Sequence, residues 1–179
     1  PDGHDMWTCN ENELPADNAV SPGRNEFVRL TRFTRRTPAQ PWRVSGQWAY
    51  RLEAPGTGPD RGRARNGVAA LCVLDDGEVL VLEREKIRHG SKMSFRMRVC
   101  RVVFPGATDV SGWRALSERA FVPVRKQIVY EEETGRAMYE GMCLGPVLDD
   151  GSRTLLLISD GDGRADERIL SLRIRRDAE

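Results

Sequence analysis

Glu11, Glu83, Glu140 and Asp160 are the residues of this chain whose types and spacing suit shared chemistry. Glu11, Glu83 and Asp160 each follow an Asp-Gly turn and an apolar stretch, with 72 and then 77 residues between successive acids. Glu140 opens the segment that runs into the last of these turns. A hairpin returns the chain to the edge it left, so Glu140 and Asp160 are delivered to one rim. A rim of carboxylates from successive hairpins predicts a calcium site, because hard cations take six to eight oxygens at about 2.3–2.6 Å. All four acids are expected metal ligands, and Glu83 and Glu140 are also the expected catalytic acids. Such an ion would bridge a phosphate or polarise an ester for attack by water. Arg84 and Lys126 are the candidates for holding a substrate anion, one as a planar fork and one as a point charge. Asn10 and Asn12 flank Glu11 and would add neutral oxygens to a substrate site; a turn role accounts for them as well. A structural reading competes with all of this, in which the acids pair with Arg84, Arg125 or Lys126 as rim salt bridges.

Other chemistries find little support. The two histidines, His4 and His89, lie in a turn and a charged loop without metal-ligand spacing. No Gly-x-Ser-x-Gly elbow is present, and no glycine-rich phosphate loop joins a strand to a helix. A hydrolase built from these residues would use water rather than a serine nucleophile. The run Asp160-Gly161-Asp162-Gly163-Arg164-Ala165-Asp166-Glu167 lacks the ligand spacing of a calcium-binding loop and reads as a solvated acidic turn. Cys9, Cys72, Cys100 and Cys143 show no Cys-x-x-Cys spacing and sit in expected strands, where buried thiols are ordinary. One disulfide is open to them if the protein is exported.

The elements that must position these residues are strands. Tyr139 to Asp160 reads as a hairpin turning at Asp150-Gly151, with Leu155, Leu156, Leu157 and Ile158 apolar enough for burial on both faces. The same unit recurs at Leu71 to Glu83, turning at Asp76-Gly77, and its second half recurs at Pro1 to Glu11. Further strands are expected at Glu26–Phe33, Gly46–Leu52, Ser94–Phe104, Val124–Glu131 and Arg168–Ile174, most of them alternating apolar and polar. Asn12–Asn25, Thr37–Val44, Arg84–Lys92, Pro105–Ala120 and Gly161–Glu167 read as loops, and Ala54–Asn66, rich in Gly, Pro and Arg, as a linker. This predicts an all-β, β-propeller-like fold with about three blade-like repeats, 1–53, 67–131 and 138–175, within a single domain. Three blades do not close a ring, and the Asp2-Gly3 turn lacks the strand that should precede it. The chain therefore reads as a fragment or processed product. Its expected partner is the N-terminal remainder of the ring, as upstream or separate chain.

The totals agree with one domain. The chain has 179 residues and a net charge of +1 from 28 basic and 27 acidic residues, so no general nucleic-acid or membrane surface is indicated. No stretch approaches the roughly 20 apolar residues of a membrane helix.

Several of these segments resemble a known family. Asn10-Glu11-Asn12-Glu13-Leu14 with Asp17, Arg29-Leu30, Gly46-Gln47-Trp48-Ala49-Tyr50 and Leu82-Glu83-Arg84 look like the phytase-like domain, described as having esterase-like activity. So do Gly106-Ala107-Thr108-Asp109-Val110-Ser111, Val124-Arg125-Lys126, Glu140-Gly141-Met142, Leu144-Gly145-Pro146 and Leu155 to Asp160. Order and spacing match across nearly the whole chain, which looks like the C-terminal half of that domain. The resemblance implies a β-propeller-like fold and an exported bacterial protein, periplasmic or secreted. Gly161-Asp162-Gly163 departs from it where the family commonly carries asparagines. The function expected is calcium-assisted hydrolysis of a phosphoester or ester with a small anionic substrate. The alternatives are a non-catalytic propeller serving a cell-envelope complex and a lactonase-type hydrolase.

Overall fold

Among the described residues, period-two alternation builds ten strands, with a short 3-10 turn at Leu116–Glu118 between the sixth and the seventh. The structure is a computed structural model and describes residues 3–22, 25–54, 65–89, 91–160 and 167–175. Strands β1 (Asp5–Cys9), β2 (Phe27–Thr34) and β3 (Arg43–Arg51) form the first sheet in that order. Strands β4 (Arg65–Val73), β5 (Val79–His89), β6 (Lys92–Val103) and β7 (Arg125–Gly135) form the second, and β8 (Met138–Val147), β9 (Arg153–Asp160) and β10 (Ile169–Ile174) the third. Every pairing is antiparallel.

The two expected Asp-Gly hairpins share one turn. In Leu74-Asp75-Asp76-Gly77-Glu78, Gly77 N–H donates to Leu74 O at 2.9 Å and Leu74 N–H to Glu78 O at 2.8 Å. In Leu148-Asp149-Asp150-Gly151-Ser152, Gly151 N–H donates to Leu148 O and Leu148 N–H to Ser152 O, both at 2.8 Å. The glycines take φ of +86° and +78°, the left-handed region where any Cβ is disfavoured. The second aspartate of each turn accepts a backbone N–H two residues on, at 3.1 Å in both.

The second sheet is the middle layer. One face (Val68, Val79, Val81, Cys100, Val102) packs on Val28, Leu30, Tyr50 and Leu52 of the first sheet. The other (Cys72, Leu80, Leu82, Met97, Val99) packs on Tyr139, Met142, Leu155 and Leu157 of the third. The far side of the first sheet carries a third cluster, in which Phe27 and Ala49 meet Val110 and Leu116. A buried ion pair anchors that cover: Arg29 makes two hydrogen bonds to Asp17, at 2.6 and 2.7 Å, and Asp17 also accepts Leu116 N–H at 2.8 Å.

Several expected boundaries change: β3 starts at Arg43, inside the expected Thr37–Val44 connection, and β4 at Arg65, inside the expected linker. Arg84–Lys92 is not a loop: β5 runs through Arg84, Glu85 and Lys86 to His89, and β6 begins at Lys92. Charge argued for a loop, but Glu85 is satisfied across the ladder, buried against Arg98 at 2.9 Å. The last strand of the second sheet extends to Gly135, because Glu131 and Glu133 meet Arg96 of β6. The loop departure at Gly161-Asp162-Gly163 lies outside the described residues.

Candidate functional site

The sheets bring Glu11, Arg84 and Glu140 to one point. Glu11 follows β1, Arg84 lies on β5 and Glu140 on β8, so each sheet contributes one residue. Arg84 Nη1 is 2.8 Å from Glu140 Oε1, while Nη2 pairs with Glu11 Oε1. Arg84 Nη1 also lies 2.9 Å from Met138 Sδ. The two carboxylates stand at the surface, with side chains 54% and 38% exposed, and the guanidinium between them is half-buried.

Backbone approach explains how Glu11 reaches this point from another sheet. Val68 N–H donates to Glu11 O at 3.0 Å, tying the segment after β1 to β4. A Cβ at Gly67 would sit 3.0 Å from that same carbonyl and 3.4 Å from Asn12 Oδ1, so the glycine is what lets the two chains close. Asn12 Oδ1 accepts from Asn25 Nδ2 at 3.2 Å, and Asn25 also donates to Asn66 O at 2.6 Å. Asn10 accepts Arg29 N–H at 3.2 Å and donates to Asn12 O. Asn10 and Asn12 thus shape the segment carrying Glu11, a turn role, and Asn12 also lines its approach to Gly67.

Glu83 is elsewhere. It is fully buried between the first and second sheets, not on the rim. Tyr50 Oη donates to Glu83 Oε1 at 2.6 Å, Glu53 N–H donates to Oε2 at 3.0 Å, and Lys126 Nζ pairs with Oε1. Lys126 further donates to Arg51 O at 2.6 Å, lies 3.1 Å from Glu53 Oε1 and stands over the Tyr50 ring. Burial and the Glu83 charge push the Tyr50 hydroxyl well above its ordinary range. The same two causes push the Cys100 thiol up to about 12. This is a closed network, and Lys126 is spent inside it rather than offered to a substrate.

Parity along β5 separates the neighbours. Successive side chains of a strand point to opposite faces, so Glu83 enters the first interface and Arg84 the second. The acids are also not equivalent within their repeats. Glu11, Glu83 and Asp160 follow Gly3, Gly77 and Gly151 by eight, six and nine residues. Asp160 lies exposed at the end of β9, in register with Met138. Among the described residues no group of three His, Cys, Asp or Glu side chains is placed to hold a metal ion. The four-carboxylate rim is therefore replaced by two sites, one exposed and one buried.

The sequence reading missed Tyr50, Glu53, Asn25 and Asn66. One signal was available: a carboxylate closing the run Val79-Leu80-Val81-Leu82 must find partners if the run is buried. Which residues supply them depends on how sheets stack, and no local pattern encodes that.

An all-β chain of repeated hairpin sheets, meeting at one charged rim, defines the class of protein. Its family follows from sequence comparison. The model of the Phytase-like family, described as esterase-like activity of phytase, matches residues 1–163. The chain belongs to that family. Comparison with curated proteins and with solved structures returns no match. Among the described residues no helix is long and apolar enough to cross a membrane.

Proposed function

We propose that this chain is part of a β-propeller hydrolase acting on small anionic phosphoesters or esters, with the Glu11–Arg84–Glu140 cluster as its site. The observation that carries the reading is the meeting of one charged residue from each sheet at a single accessible point. Family membership supports a hydrolase-type reaction. The repeated turn and the two successive sheet interfaces support blades. A substrate phosphate or carboxylate would replace one carboxylate on the Arg84 fork. The displaced Glu11 or Glu140 would then accept a proton from attacking water.

Calcium belongs to this proposal only through Glu11 and Glu140. The cluster carries two carboxylates for one guanidinium, a surplus of negative charge beside the oxygens of Asn12. A divalent ion there would compete with Arg84, and Glu83 would take no part. Export to the periplasm or medium fits the same reading.

The test is hydrolysis of p-nitrophenyl phosphate, p-nitrophenyl acetate and a simple lactone, in calcium and in chelator. Wild type should turn over one of the three. Glu140→Gln should lower kcat/KM at least 100-fold, while Asp160→Asn should leave it within threefold. Turnover of the lactone alone would identify the lactonase reading. A wild-type protein inert to all three would leave the non-catalytic assembly reading. That reading has its own support, since Glu11, Glu83 and Glu140 each already hold a cationic partner.

A further inference from the structure

Glu140 reaches Arg84 through an exception to strand geometry. Regular pairing alternates side chains between the two faces of a sheet. Arg84 obeys that rule: β5 pairs with β6 without interruption from Leu80 to His89, so Arg84 shares the face of Leu82, toward the third sheet. Glu140 does not. Between Tyr139 and Gly141 the register slips, and β8 advances two residues while β9 advances one, from Ser159 to Ile158. No residue of β9 stands opposite Glu140, which is therefore the extra residue of a β-bulge.

The neighbours show what the bulge does. Tyr139 and Met142 are both buried in the core shared with the second sheet. Three positions apart, they would lie on opposite faces of an unbroken strand. Glu140 lies on the inner face with Tyr139, since it meets Arg84 at 2.8 Å. Gly141 lies on the outer face. A Cβ there would stand 2.5 Å from Cγ2 of Ile158, an exposed residue on the face opposite the buried Leu157. Two successive side chains, Tyr139 and Glu140, thus point inward, and Gly141 takes up the reversal where a side chain has no room.

We infer that Gly141 is a positioning residue of the site proposed above, on which this reading rests: it carries the bulge that turns Glu140 from the outer face of the third sheet to the Arg84 guanidinium. Removing Gly141 restores regular alternation. Tyr139 stays opposite Ser159 and Met142 opposite Leu157, while Glu140 moves opposite Ile158 and its side chain falls on the outer face. The core residues of β8 keep their places, and the acid alone changes sides.

The test compares wild type with a deletion of Gly141, by hydrolysis and by the NMR signals of the Arg84 guanidinium, assigned with Arg84→Lys. The deletion should lower kcat/KM at least 100-fold and move the Arg84 signals to their positions in Glu140→Gln. Adding Glu140→Gln to the deletion should change the rate less than threefold. A folded deletion variant with wild-type rate and signals, or one that Glu140→Gln impairs a further 100-fold, overturns the inference. A second pair decides the matter if the deletion does not fold. Gly141→Ala presses a methyl on Ile158 and should lower kcat/KM at least tenfold with the same movement of the Arg84 signals. Gly141→Ala with Ile158→Ala removes the clash and should return both to within threefold of the wild-type rate and to the wild-type signals. An unaffected Gly141→Ala, or no recovery in the pair, overturns the inference. A wild type inert to every substrate defeats the hydrolase reading alone, because the Arg84 signals then still decide whether Gly141 aims Glu140.

Discussion

Removing one partner of the Glu83–Lys126 pair strands a charge where water does not reach, which costs about 3–5 kcal/mol. Lys126→Met should therefore lower the unfolding free energy by about that amount in urea titrations. Arg84→Met should cost under about 1 kcal/mol, because Glu11 and Glu140 regain full hydration when the guanidinium is gone. The contrast separates structure from function at adjacent residues: the buried pair is a lock, and the exposed cluster can exchange partners cheaply. Equal losses from the two variants would make the rim a lock as well and remove the proposed site. The thiols give a pH signature at the same scale. Cys9 is pushed up to about 12 by burial, and Cys100 to about 12 by burial and Glu83, from an ordinary value of 9.0. The folded state then holds protons that the unfolded chain releases, so stability is intact below about pH 9 and falls as pH rises toward 12. For Cys100 the slope approaches at most about 1.4 kcal/mol per pH unit. Urea midpoints between pH 8.5 and 11 should fall, and Cys100→Ala should flatten the decline; a flat wild-type profile would contradict the assignment.

At the scale of elements, glycines decide where strands may approach. Gly67→Ala places a methyl against the Glu11 carbonyl, which is backbone and cannot swing aside. This variant should shift the segment carrying Glu11, weaken its pairing with Arg84 and reduce hydrolysis more than stability. Gly77→Ala meets open space, and its cost is the left-handed backbone alone, about 1–2 kcal/mol. Urea unfolding alongside the hydrolysis assay separates the two, and equal loss of activity in both would show that Gly67 has no special place at the site. The same distinction explains what could be read in the sequence. Both Asp-Gly hairpins were legible, because turn chemistry and apolar runs are local signals. So was the alternation of Ser94–Phe104. The extension of β5 through Arg84, Glu85 and Lys86 was not, since Glu85 is satisfied by Arg96 and Arg98 of β6, and Arg84 by Glu11 and Glu140 from the other two sheets. The convergence of Glu11 and Glu140 on Arg84 was legible only in its ingredients. The misplacement of Glu83 came from equating acids six and nine residues beyond their turns, a difference that exchanges the faces of a strand.

Across the whole molecule, the two sheet interfaces are fastened unequally. The first and second sheets share an apolar core, the buried Glu83 network and the Asn25–Asn66 bridge. The second and third share an apolar core, but their ion pairs, Arg84–Glu140 and Arg153–Asp75, are partly exposed and contribute little. The first sheet is covered on its far side, while the third leaves Ile158 and Ile169 at 51% and 72% exposure. Apolar area left in water contributes nothing to holding a layer down. The third sheet should therefore open before the rest, as a sub-global unit below the global unfolding free energy. Native-state hydrogen exchange in low urea should show β8, β9 and β10 exchanging together, ahead of β2, β3 and β5. Lys126→Met should close that gap by loosening the first interface, and Arg84→Met should leave it nearly unchanged. Exchange of β2 and β3 ahead of β9 would reverse the order of fastening. It would also place the weak seam at the buried network rather than at the partly exposed pairs Arg84–Glu140 and Arg153–Asp75.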